Sequence, residues 1–157
     1  MKLINAVILC VVALAVPAFA QDKPVDTNMQ ILLDKVKADK KLVVAANMEL
    51  TEAEGKVFWP NYDAYQKELQ AINERVAKTV LTYADAYNKN ALTDDLAKRL
   101  TNEALAMDQD ELTLRKTYAA KLNGVLPAIK VARYIQIENK IRAAIRYELA
   151  TGIPLVP

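Results

Sequence analysis

The chain has 157 residues, with 21 lysines and arginines against 19 aspartates and glutamates, one cysteine, no histidine and three glycines. Cys10 falls in a segment read below as a removable leader, so residues 21–157 hold neither thiol nor imidazole. That excludes disulfides, thiolate or imidazole metal sites and Cys–His or Ser–His nucleophiles. So few glycines, in a chain dominated by Ala, Leu, Lys, Glu and Gln, argue for helix over a turn-rich β protein.

Residues 1–20 read as a secretory signal peptide. Lys2 gives a positive start, and Ile4 to Val16 is apolar but shorter than the roughly 20 residues of a bilayer span. Pro17-Ala18-Phe19-Ala20 then offers small residues at the cleavage positions, with the cut after Ala20. Leu9 before Cys10 stands where a lipobox needs a small residue. The expected location is the periplasm, and residues 21–157 are expected to form one helical domain. No second apolar run is long enough to span a membrane.

A first helix is predicted from Asp26 or Thr27 to Asn47, with Met29, Leu32, Leu33, Val36, Val43 and Ala46 on its inner face. The turn falls at 48–50. Thr51 with Glu54 then makes a T-x-x-E capping box. In the second helix Phe58, Tyr62, Tyr65, Leu69, Ile72, Val76, Val80, Tyr83 and Tyr87 follow at spacings of three and four, the helical period. Pro60 lies inside this pattern, so a break or kink is expected at Phe58 or Trp59.

Asn88-Lys89-Asn90 ends the second helix. Thr93 caps the third, with Asp94 and Asp95 in its first turn, where the dipole favours acids. Its face reads Leu96, Leu100, Ala104, Met107, Leu114, Tyr118 and Leu122, and Asn123-Gly124 stops it. Pro127 suits the first turn of a fourth helix with Tyr134, Ile137, Ile141, Ile145 and Leu149 inward. The apolar tail Ile153-Pro154-Leu155-Val156 either folds back or docks onto a second subunit. The chain therefore reads as all-α: a bundle or flattened hairpin assembly of about four helices with a long, kinked second helix.

Residues 85–111 hold seven acids and three bases, and residues 115–149 eight bases and two acids. Either the acidic and basic helices answer each other, or the asymmetry steers an acidic partner. Phe58, Trp59, Tyr62 and Tyr65 are either core or an exposed polypeptide-binding surface; Trp59, about 100° round the helix from Phe58, is the best placed for exposure. Arg133, Gln136 and Lys140, spaced three and four, share a face that either holds an anionic or peptide ligand or is solvated. Glu111 sits between Met107 and Leu114 on the third helix, where a buried acid needs a partner. Arg115, Arg133 or Arg142 can supply it, unless the core face is rotated toward Leu105 and Leu112, which leaves Glu111 in water. Asp94, Asp95, Asp108 and Asp110 read as helix-dipole partners and not as a metal site. No acid–base–nucleophile set is present, so the expectation is a binding protein that is not an enzyme and carries no cofactor or metal.

With Leu50-Thr51-Glu52-Ala53-Glu54 at a helix start, this exported helical chain resembles the Spy/CpxP group, small periplasmic proteins named for an L-T-x-x-Q motif. Glu54 replaces the glutamine, and a second copy of the motif is missing: Val125-Leu126-Pro127 lacks the threonine. The chain is also similar to uncharacterised proteobacterial secreted proteins sharing F-W-P-x-Y-x-x-Y (Phe58 to Tyr65), R-x-x-Q-x-E-x-K (Arg133 to Lys140) and a terminal I-P-L (Ile153 to Leu155). The resemblance implies an ATP-independent chaperone or envelope-stress role. Its partner would be unfolded polypeptide or another protein, with no nucleic acid, and a homodimer is possible. The alternative is an adaptor that binds a folded envelope partner through the basic fourth helix.

Overall fold

The computed structural model describes the backbone of residues 27–157 and the side chains of residues 38–157. The signal peptide expected over 1–20, and the side chains of Met29, Leu32, Leu33 and Val36, lie outside the described residues. The described residues are all-α, with four helices in chain order: α1 Thr27–Met48, α2 Glu52–Asn88, α3 Asp94–Asn123 and α4 Ala128–Gly152. Among the described residues there is no strand, and no helix is long and apolar enough to cross a membrane.

The helix starts and stops follow local chemistry. The Glu54 amide donates to Thr51 Oγ1 at 3.2 Å and the Thr51 amide to Glu54 Oε2 at 2.8 Å. This closes the capping box in both directions and satisfies two otherwise orphaned donors. The Leu96 amide donates to Thr93 Oγ1 at 3.2 Å, which caps α3. At the end of α2, Asn90 takes a positive φ of 50°. The Ala91 amide then reaches back to the Ala86 carbonyl at 2.8 Å and the Asn90 amide to the Tyr87 carbonyl at 3.1 Å. These two bonds form a Schellman stop with asparagine in the left-handed position. Pro127 precedes α4, and its carbonyl accepts from the Lys130 and Val131 amides at 2.9 and 3.2 Å.

The interruption expected at Phe58 or Trp59 does not occur: α2 continues helically through Pro60. Proline removes the donor that would meet the Lys56 carbonyl, but Lys56 and Pro60 are both exposed, so water can take that place. The Asn61 side-chain amide also donates to the neighbouring Val57 carbonyl at 2.9 Å. The break lies in α1, where Asp39 has extended backbone angles, φ −165° and ψ 100°. Its carboxylate accepts from the Leu42 amide at 3.0 Å, so Asp39 caps a fresh helical segment. The new start resets the helical phase. Val44 and Met48 are buried and Ala46 is exposed, in place of the Val43 and Ala46 face predicted from residues 29–36.

The single domain expected for 21–157 is organised as two compact units, with boundaries inside α2 and α3. The described part of one comprises residues 27–64 and 117–151: α1, the head of α2, the end of α3, and α4. Its core is Val44, Met48, Phe58, Tyr62, Tyr118, Leu122, Leu126, Val131, Tyr134, Ile141 and Ala144. Phe58 and Tyr134 meet edge-to-face at 5.1 Å. Glu138 is buried in this core, 5% exposed, and takes Lys40 Nζ at 2.8 Å. The inward face of α4 is therefore Val131, Tyr134, Glu138, Ile141 and Ala144; Ile137, Ile145 and Leu149, expected inward, are only half-buried.

The described part of the other unit is a helical hairpin, residues 65–116, with the tail 152–157. Tyr65, Ala84, Ala86, Met107 and Leu114 are buried, and Ala104, expected inward, is exposed. Arg75 ties the hairpin, with Nε 2.9 Å from Glu103 and Nη1 2.6 Å from Asp110, and both acids hold its guanidinium protonated beyond the ordinary arginine value. The Tyr83 hydroxyl donates to the Pro154 carbonyl at 3.0 Å, so the tail folds back at that point. Burial, and secondarily Tyr87, raise the Tyr83 pKa above its usual value.

Candidate polypeptide-binding groove

The corner between α1 and α2 is built by a residue that turns the chain and by cations that hold it. Glu49 adopts φ 50°. Lys130 Nζ, from α4, donates to the Met48 carbonyl at 3.5 Å and to the Glu49 carbonyl. A lysine there neutralises the negative end of the α1 dipole. Arg133 pairs with the Glu49 carboxylate, and that bond, then its charge, pull the Glu49 pKa below the ordinary carboxylate value. The Thr51 amide does the same for Glu54, with Lys130 adding a smaller contribution at 4.0 Å.

This corner opens a shallow groove between Ala45 of α1, Leu50 and Thr51 of the turn, and Glu52, Gly55, Lys56, Trp59 and Pro60 of α2. Trp59 is half-buried on its wall. Its ring is fixed from behind by Phe58, edge-on at 4.9 Å, and by Tyr62, edge-on at 5.5 Å. Lys41 lies 5.3 Å from the indole centroid and is itself held by Asp63 at 2.6 Å. Gly55 lies beside the indole edge, where a Cβ would make ordinary van der Waals contact 3.6 Å from Nε1. The indole N–H has no acceptor among the described residues. The arrangement offers a partly apolar surface and one hydrogen-bond donor.

The sequence-predicted site residues divide. The four-residue aromatic surface does not form: Phe58 is 0% exposed and Tyr62 and Tyr65 3% each, because the helical period that brings them together also turns them into the core. Trp59 alone of the four keeps surface. Arg133, Gln136 and Lys140 all retain surface on α4, with Gln136 and Lys140 exposed. Arg133 is engaged by Glu49 and is not the partner of Glu111. Glu111 pairs with Arg115, one turn on, at 4.0 Å with both half-buried. Asp110 serves Arg75, and no group of three potential metal ligands forms among the described residues.

Sequence reasoning missed Glu138 and the groove. Glu138 stands four residues after Tyr134 and three before Ile141, an inward position that its charge concealed. The groove needs Ala45 and Leu50 brought against Trp59, which helical spacing does not encode. No protein-family model, no curated protein and no solved structure matches the chain.

Proposed function

We propose that the protein is an exported, periplasmic helical binding protein, chaperone-like or tied to envelope stress, that holds polypeptide at the Trp59 groove. The observation that carries this reading is the half-buried Trp59, which keeps surface in the groove beside Leu50, Gly55 and Pro60. Tryptophan and tyrosine dominate polypeptide-binding surfaces because they bury large area at little entropic cost. Export is supported by the leader pattern of residues 1–20. The Spy/CpxP likeness rests on the Leu50-Thr51 start of α2 alone. The test is suppression of aggregation of a chemically denatured client at stoichiometric protein. Protection by the native chain, lost in Trp59→Ala, is expected; no protection by the native chain removes the reading.

A second reading, an adaptor for a folded envelope partner, is favoured by one observation. Gln136 and Lys140 are exposed on one face of α4, and no described residue engages either of them. Lys140→Glu tests it without touching the Arg133–Glu49 pair: an adaptor loses a specific pull-down at unchanged helicity, whereas survival of the pull-down excludes this face.

A further inference from the structure

We propose that the outer face of α4 is a self-association surface, on which a second copy of the chain lays its own α4 antiparallel about a two-fold axis level with Glu138. The pairing does not involve the Trp59 groove. It gives the α4 face a different occupant from the folded partner considered above.

The face is exposed and poor in charge. Ile129, Ala132, Gln136, Lys140, Ala143 and Tyr147 follow at spacings of three and four, and all six are exposed. Ile129 is 76% and Tyr147 39% exposed. Lys140 is the one charge in this stripe. Arg146, the other exposed charge of α4, lies at its edge and is already engaged. The outer face of a solvated helix is ordinarily charged and polar, and here both ends of the stripe are large and apolar. The whole stripe belongs to one of the two compact units.

The order of residues selects the occupant. From either end the stripe runs large apolar residue, alanine, polar residue. A two-fold interface sets residue i against j and j against i, so a surface that reads alike in both directions fits a second copy of itself. With the axis level with Glu138, Ile129 meets Tyr147 of the second copy, Ala132 comes level with Ala143, and Gln136 meets Lys140. The alanines let the two helices approach closely. The Gln136 carbonyl accepts from the Lys140 ammonium.

The charges agree with this register. No described residue engages Lys140. Arg133 stands seven residues before Lys140, hence on the same flank of α4, and it holds Oε2 of the exposed Glu49. Glu49 Oε1 has no donor among the described residues. In the pair, Lys140 of the second copy lies three residues along the axis from Arg133, about 4.5 Å. An ammonium that nothing engages thus comes within reach of an open carboxylate oxygen, twice about the axis. Lys130 also faces that carboxylate, which keeps the added attraction small. Six residues a side is roughly a quarter of the complement of a standard interface. Pairing is therefore weak and concentration-dependent.

The experiment combines sedimentation with cysteine crosslinking, in the full chain carrying Cys10→Ser so that introduced thiols are the only ones present. Sedimentation from about 1 μM to 1 mM should show a rise from one to two chains per particle, and Lys140→Glu should weaken pairing roughly tenfold at unchanged helicity. Ala132→Cys and Ala143→Cys are then placed in separate chains. In the pair, each position lies about 18 or 15 Å along the axis from its own counterpart, too far for a disulfide, and level with the other position. Oxidation with diamide should crosslink a mixture of the two variants and leave either variant alone as single chains. A monomer at all concentrations, or crosslinking of one variant alone as fast as of the mixture, overturns the proposal. A monomer that still captures a folded partner, and loses it in Lys140→Glu, overturns it too and gives the face to the adaptor reading.

Discussion

Phe58 and Trp59 are neighbours in sequence that the structure assigns opposite tasks, and truncating each in turn separates them. Phe58 is fully buried, with ring centroids of Tyr134, Tyr62 and Trp59 at 5.1, 5.9 and 4.9 Å. Removing such a ring leaves a cavity and forfeits the aromatic contacts, at a cost of about 4 kcal/mol. Against a total of roughly 5–15 kcal/mol for a domain, that is a large fraction of the stability. Trp59 is half-buried, so Trp59→Ala forfeits only part of a side chain's burial, with its edge contacts to Phe58 and Tyr62, and costs less, about 2 kcal/mol. Urea denaturation followed by far-UV circular dichroism gives both values, and a labelled denatured client gives binding for each folded variant. Phe58→Ala should lose stability and, where still folded, bind; Trp59→Ala should stay folded and fail to bind. The reasoning is refuted if Phe58→Ala melts with the native chain, or if Trp59→Ala binds as well as native protein.

Three further outcomes follow from single contacts. Lys40→Met leaves the buried Glu138 carboxylate without its 2.8 Å lysine and should cost about 3 kcal/mol, whereas Lys40→Met with Glu138→Leu should recover most of that loss; chemical denaturation of the single and double variants decides it. Thr51→Ala opens the capping box and should cost about 1 kcal/mol in the same assay. Glu49 and Glu54 both titrate below the ordinary carboxylate value of 4.5. Their contribution is therefore complete above that value and is lost as pH falls through the lower folded values. Glu54→Gln keeps a side chain able to close the box but removes the charge, so its thermal midpoint should fall less on acidification than that of the native chain.

Helix boundaries were legible because each is written in a few adjacent residues. Thr51 with Glu54, Thr93 before two aspartates, and Asn90 after Tyr87 specify their hydrogen bonds locally, and the α2 periodicity specifies which aromatics turn inward. The break at Asp39 was hidden because an aspartate between lysines reads equally as a solvated helix position and as a cap. Once the phase slips there, extrapolation from residues 29–36 lands on Ala46 in place of Val44 and Met48. The passage of α2 through Pro60 depends on exposure of the vacated carbonyl and on the Asn61 side chain, and local spacing specifies neither. That Trp59 is less buried than Phe58 was readable from the angle between them. The groove beside it was not, because Lys130 and Arg133 hold the Glu49 corner from more than eighty residues away.

The central claim is that polypeptide docks beside Trp59, and the emission of that single tryptophan reports on it directly. Titrating the protein with a denatured client should shift the emission to shorter wavelength and saturate near one equivalent, as the indole leaves water. Suppression of aggregation with no change in the emission, or no interaction with the client at all, contradicts the account.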